Sequence, residues 1–234
     1  MKIVTFSGID GAGKSTQIEY LEACLEDDGL KIASLTFWDN VAVLSRLREF
    51  LSLRAFGGDR GMGTPEKPIH RRDKDVASLP LTVARLVLYL ADSLNLRRVV
   101  KRVAETGVDI VIFDRYIYDE LANLPLDSWF TRAFTRIVLS VTPRPDSAFL
   151  IDAEPEAARA RKPEYPLEFL DRNRQSYLRL SRITGDMTII GPLSLAAAAG
   201  KMKDVALAKL LPSNHAALPY TQRAARTHYH GPGL

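Results

Sequence analysis

The sequence predicts an α/β protein, a five-stranded, mainly parallel sheet with helices on both faces. Three observations carry this. Short apolar runs of strand length alternate with segments of helical spacing, which implies right-handed crossovers and a sheet covered on two sides. The positions able to do chemistry, Gly8, Phe37 to Asp39, Asp114 to Tyr116 and Asp152, all fall where an apolar run stops. In parallel sheets ligands gather at those C-terminal strand ends. The chain has 234 residues, 46% hydrophobic and 26% charged, enough for one large domain, and it carries no internal repeat.

The elements follow in order. "KIVTFSG" is a buried strand ending at Gly8. Residues 14 to 28 have helical spacing, with Ile18, Leu21, Cys24 and Leu25 on one side and Gly29 as the stop. That placement reads the single cysteine as a buried core thiol. "KIASLTF" is the second strand and "VAVLSRLREFLSL" the second helix. Residues 54 to 79 are rich in Gly, Pro and charge without a period, and read as a long loop or mobile insertion.

A long helix is expected over 80 to 105. Leu81, Ala84, Leu88 and Ala91 form one apolar stripe, and Val83, Val87, Leu90 and Leu94 a second. A helix apolar on two sides is buried on two sides, here in the core and against a partner subunit. "DIVIFDRY" is the third strand, 127 to 140 a helix, and "SAFLIDA" the fourth strand. "EPEAARARKPEYPLEF" is an Arg- and Pro-bearing connection, and 167 to 184 return to helical spacing. "MTIIG" is the fifth strand and "LSLAAAAGKMKDVALAKLL" the last helix. From Pro212 on there is no acidic residue and no apolar period, which reads as a disordered tail.

The first motif is "GIDGAGKS" at 8 to 15, the spacing of a phosphate-binding loop, or P-loop. Its glycines let successive N–H groups converge on one concave site, and the next helix adds its positive N-terminus. Lys14 supplies a cation for the outer phosphates, and the Ser15 hydroxyl can ligate Mg²⁺. Asp10 either helps position Mg²⁺ or simply forms the turn. "FDRY" then sets Asp114, able to organise Mg²⁺ or its waters, beside Arg115, able to bridge phosphates. The alternative for that pair is a structural ion pair. "ARARKPEYP" carries Arg159, Arg161 and Lys162 after the fourth strand. Phosphoryl transfer needs more positive charge than Lys14 alone, and a closing lid could bring it. The bland reading of the same residues is a solvated basic helix face.

With these motifs in place the chain resembles the thymidylate kinase family of nucleoside monophosphate kinases. "FSGIDGAGKSTQ", "DRYIYDELAN", "PDSAFLIDAEPEAARARK" and "FLDRNRQSYLRL" are similar, in order and spacing, to four family segments spanning most of residues 1 to 190. The resemblance implies a P-loop NTPase three-layer sandwich with a lid. The kinase domain would run over 1–211, the lid over 153–166 and the tail over 212–234.

The reaction implied is transfer of the ATP γ-phosphoryl group to dTMP, giving dTDP and ADP with Mg²⁺. Lys14, Arg115, Asp10 and Arg161 are then the implied catalytic set. Gly8, Ile9, Asp10, Gly11, Ala12, Gly13, Lys14, Ser15, Thr16 and Arg161 would bind ATP. Asp39, Arg48, Tyr89, Arg115 and Tyr116 would meet the acceptor, and Ser15, Asp10 and Asp114 the metal. The pattern breaks at Ser93, where the family has a base-reading arginine, and at Asp119, Glu120 and Asn123, which usually face the nucleoside. These breaks keep open a different nucleotide or nucleoside acceptor, and a non-catalytic ATP-binding regulator remains a further alternative.

The net charge of +4 and pI near 9.2 suit phosphorylated small molecules, and no long run of one sign appears. The basic tail and the 54–79 segment lack interleaved aromatics, so nucleic acid is not an expected partner. One cysteine cannot form an internal disulfide, and neither a signal peptide nor a membrane-length apolar run is read. The expectation is a cytoplasmic homodimer acting on nucleotides.

Overall fold

The computed structural model describes residues 1–43, 79–191 and 193–210. The expected helix beyond residue 43, Arg48 with it, the 54–79 insertion but for its last residue, and the tail from 212 lie outside the described residues.

The sheet is all parallel, in the order β2–β3–β1–β4–β5. β1 is Lys2–Ser7, β2 Ile32–Thr36, β3 Ile110–Asp114, β4 Ser147–Ile151 and β5 Met187–Ile190. The two strands beside β1 are apolar but for Asp114 at the end of β3 and Ser147 at the start of β4, and all but Asp114 is buried, as parallel crossovers require. Register brings Phe6 of β1 and Thr36 of β2 level with Asp114 of β3, and Ser7 level with Leu150 of β4. The C-terminal ends of four strands therefore share one edge.

The helices are α1 Lys14–Asp27, α2 Phe37–Asn40, α3 Leu79–Glu105, α4 Ile117–Leu121, α5 Trp129–Val141, α6 Pro155–Arg161, α7 Leu167–Thr184 and α8 Leu195–Leu210. Helix α1 packs on α8, and α8 on β4 and β5; α3 packs on α4 and α5, and α7 on α4 and α6. Helix α1 closes through Gly29 at φ 79°, whose N–H bonds the Glu26 carbonyl. Helix α7 closes in the same way at Gly185, φ 72°. The core includes Phe6 and Phe149, whose rings sit 5.3 Å apart across β1 and β4.

Three readings are corrected. Cys24 is only half-buried, because it lies one step off the buried line of Leu21 and Leu25. The third strand stops at Asp114, not at Tyr116, because Arg115 turns to φ 69°. In α3 neither apolar stripe is the core face as drawn. Leu86, Tyr89, Ser93 and Leu96 are buried, with Asp92 beside them. Leu88 and Ala91 are half-buried, while Val83, Val87 and Leu94 are exposed. The buried set includes Ser93, whose hydroxyl donates to the Tyr89 carbonyl, and Asp92, which accepts from the Val43 N–H, and a purely apolar template skips both.

Candidate active site

The site grows from the end of β1. Gly8, Gly11 and Gly13 all have positive φ, at 142°, 79° and 97°. At two of them space also demands glycine. A Cβ on Gly8 would lie 2.4 Å from the Ile151 carbonyl oxygen, and one on Gly11 2.3 Å from the Ala158 carbonyl oxygen. The loop is thus wedged between the end of β4 and the lid helix α6. Gly13 in the left-handed region starts α1 and so aims the helix N-terminus at the loop's concavity.

Lys14 is folded back over this loop. Its Nζ donates to the carbonyls of Gly8 at 2.9 Å and Ile9 at 3.0 Å, and the residue is 7% exposed. Burial first, then the Arg115 charge, pull its pKa down to about 8, against the opposing pull of Asp10, Asp119 and Asp114. Ser15 and Thr16 are exposed at the start of α1. Ile9 and Ala12 are buried beneath the loop, which leaves their backbone as what they can offer a ligand.

Arg115 stands across from the loop at the end of β3. Its left-handed backbone is unique among the described non-glycine residues. One guanidinium nitrogen, Nη2, donates to Asp10 Oδ1, and the other, Nη1, to Asp119 Oδ1 at 3.3 Å. Burial pushes the Arg115 pKa down, but Asp119, Asp10, Tyr177 and Asp114 outweigh it and hold the charge. Burial raises the Asp10 carboxyl, and Arg115, Lys14 and Lys162 together bring it below the ordinary carboxylate value. Asp10, expected among the metal ligands, is paired with Arg115 in this structure.

Asp114 Oδ1 is buried with no hydrogen-bond partner. An unpaired carboxylate oxygen at the end of β3, with the Ser15 hydroxyl at the start of α1, is a hard-oxygen donor set that fits Mg²⁺. No cluster of three or more His, Cys, Asp or Glu side chains suited to a metal occurs among the described residues. Mg²⁺ bridging phosphates needs only one or two protein ligands.

Helix α6, within the segment expected to be a lid, lies against the loop. Arg161 is exposed, its Nε donates to the Ala157 carbonyl at 3.1 Å, and its Nη1 would be 3.4 Å from a Cβ on Gly13. Arg161 therefore lies beside Gly13 of the P-loop. The lid is pinned by Arg174 of α7. Its guanidinium makes four bonds of 2.6 to 3.0 Å to Asp152 and Glu154. At the lid's far end the rings of Tyr165 and Phe169 stack at 5.0 Å.

The chain is 30% identical over 190 residues to the thymidylate kinase of Chlorobium luteolum, covering 77% of this chain and 78% of that one. It is 29% identical over 190 residues to the thymidylate kinase of Pelodictyon phaeoclathratiforme, covering 77% of each. With the probable thymidylate kinase of Methanosphaera stadtmanae it shares 26% over 185 residues, 76% of this chain and 82% of that one. The chain belongs to the thymidylate kinase family. No protein-family model matches it. As a member of the thymidylate kinase family it is a phosphotransferase whose acceptor is a phosphate group.

In this thymidylate kinase family member the expected acceptor residues are scattered in role. Asp39, on α2, is exposed and accepts from Thr36 Oγ1 at 2.9 Å at the end of β2. Tyr89 is 5% exposed within the core. Tyr116 is fully buried, and its hydroxyl donates to the Pro143 carbonyl at 2.7 Å, so its side chain packs and its backbone alone reaches the site. Ser93 is fully buried; its hydroxyl donates to the Tyr89 carbonyl at 2.9 Å and lies 3.1 Å from Thr142 Oγ1. Asn123 donates back to the Asp119 carbonyl at 2.9 Å.

Sequence reading missed Ser7, Arg174 and Tyr177 as site residues, and it marked Asp119 only as a break near the nucleoside, not as the partner of Arg115. A usable signal existed: Arg174 and Tyr177 are three apart on one helix face, and Asp119 follows the strand end at the spacing of a helix-start carboxylate.

Proposed function

We propose that the protein transfers the γ-phosphoryl group of ATP to the phosphate of dTMP, giving ADP and dTDP. The observation that supports this best is the convergence of Lys14, Arg115 with Asp10, and the lid residues Arg161 and Lys162 at one edge of the sheet. In the transfer, the bond from the γ-phosphorus to the ADP leaving oxygen breaks. A bond from the same phosphorus to an acceptor phosphate oxygen forms, so no redox partner or further co-reactant is needed. Lys14 leaves the carbonyls of Gly8 and Ile9 and takes the outer phosphates of the donor. Arg115 holds the charge between donor and acceptor, and Asp10 keeps its guanidinium there. Arg161 and Lys162 bring positive charge from the lid side, which excludes water. Asp114 and Ser15 would hold Mg²⁺, which when bound neutralises charge on the donor phosphates. Arg48, which the resemblance places at the acceptor phosphate, lies outside the described residues.

A second reading, transfer to a different nucleotide, is favoured by Ser93. Its hydroxyl is spent inside the core, so this position offers no donor to the edge of a base. A coupled ADP-release assay across dTMP, dUMP, dCMP, dGMP and AMP tests both. The highest kcat/KM with dTMP supports the first reading, and turnover with another acceptor but none with dTMP overturns it.

The protein is further proposed to work as a homodimer in the cytoplasm. Val83, Val87 and Leu94 of α3, with Phe130 and Ile137 of the adjoining α5, are exposed apolar side chains that a second copy would cover. A monomer mass by light scattering at micromolar concentration contradicts this.

A further inference from the structure

We propose that Asp119 and Tyr177 are positioning residues for phosphoryl transfer, holding the Arg115 guanidinium opposite Asp10 and tying it to the helix that carries the lid. The inference rests on the phosphoryl-transfer reading above.

Asp119 is 5% exposed and accepts from four donors. Tyr177 OH reaches Oδ1 at 2.7 Å and Arg115 Nη1 the same oxygen at 3.3 Å. Ser7 Oγ reaches Oδ2 at 2.7 Å and the Tyr116 N–H the same oxygen at 3.1 Å. These donors come from four places: the end of β1 just before the P-loop, Arg115 itself, the start of α4, and α7. A buried carboxylate with both oxygens filled is fixed in place, and so it can fix what it holds.

What it holds is Arg115. A left-handed arginine is strained and persists only where its surroundings determine it. Asp10 grips one terminal nitrogen and Asp119 the other, which sets the plane of the guanidinium. Of the five N–H donors of an arginine, these bonds use two. The remaining donors make no hydrogen bond to the described residues and are left for phosphate oxygens.

Tyr177 extends the arrangement to the lid. Its hydroxyl is fully spent on Asp119, and burial together with the Asp119 charge raises its pKa well above the ordinary value, so it stays a donor. One turn earlier on α7, Arg174 clamps Asp152 and Glu154 where the lid begins. One rigid helix therefore sets both the lid's root and the orientation of Arg115.

The test uses the full-length protein and the variants Tyr177→Phe and Asp119→Asn, with Arg115→Ala as the second axis of a cycle. Tyr177→Phe keeps the ring and its packing and removes one bond. The expected loss in kcat is about 10-fold for Tyr177→Phe and about 10- to 100-fold for Asp119→Asn, with KM for ATP changed less than about 3-fold. In the Arg115→Ala background both effects shrink to under about 2-fold. Equal losses with and without Arg115 would mean a merely structural role and overturn the proposal. Arginine side-chain ¹⁵N relaxation gives a readout independent of transfer. The Arg115 Nε order parameter falls in Asp119→Asn and in Tyr177→Phe if the proposal holds, and stays at the parent's value if it does not. If the parent transfers phosphate to no acceptor, the proposed function fails, and the relaxation measurement still decides this inference.

Discussion

The pKa of Lys14 makes donor binding depend on pH in a window where few other groups titrate. In the free protein burial and Arg115 hold this lysine at about 8, against an ordinary value of 10.5. At pH 7 it is about 90% charged, at pH 8 about half, and at pH 9 about 10%. A bound triphosphate surrounds the ammonium with anionic oxygens and returns its pKa toward the ordinary value or above. Binding must then take up about 0.1 proton at pH 7, 0.5 at pH 8 and 0.9 at pH 9. By the same linkage the Kd for ATP weakens about 10-fold, or about 1.4 kcal/mol, between pH 7 and pH 9. Phosphate itself titrates near pH 6, below this window. Calorimetric titration of ATP at each pH, in two buffers of different ionisation enthalpy, measures both quantities. Lys14→Arg, which does not titrate, flattens the dependence. The sign for folding is opposite: between about pH 8 and 10.5 the unfolded chain binds more protons at Lys14, so the Lys14 contribution to stability rises with pH. A flat Kd from pH 7 to 9, with no proton uptake at pH 8, would refute the reasoning.

Three further outcomes follow from the geometry. Gly11→Ala forces a Cβ onto the Ala158 carbonyl at positive φ, so the loop and lid must separate; kcat/KM falls at least about 10-fold and stability by about 1–3 kcal/mol in urea unfolding. Arg174→Ala leaves the largely buried Asp152 without its ion pair, which costs about 1–3 kcal/mol by the same method, and raises KM for ATP because the lid loses its anchor. Phe149→Ala removes a fully buried ring packed on Phe6 and lowers stability by about 3–5 kcal/mol in the same titration, with KM for ATP unchanged in the folded fraction.

The strands were legible because each is an apolar run of strand length between polar breaks, and the long helices because their apolar residues repeat at helical spacing. The P-loop was legible for a different reason: its glycines are a steric requirement that any functional copy must show. The buried face of α3 was not legible, because Asp92 and Ser93 sit within it and an apolar template counts polar residues as exposed. Ser93 is tolerated there because its hydroxyl donates to the Tyr89 carbonyl one turn back. The Asp119 cluster was hidden for another reason. Ser7, Arg115, Asp119 and Tyr177 are up to 170 positions apart in the chain, and only the parallel register and the return of α7 bring them together. The Arg115 partner of Asp10 was hidden in the same way, since it lies 105 residues away, just past the end of β3.

The central claim is that phosphate moves from a P-loop donor to a nucleotide held beside Arg115. It is tested most directly by following the label from [γ-³²P]ATP in the presence of dTMP, with products separated by chromatography. The account predicts label in dTDP, lost at least about 100-fold in Arg115→Ala. Label recovered only in ATP and inorganic phosphate, with none in any nucleotide acceptor, would contradict it.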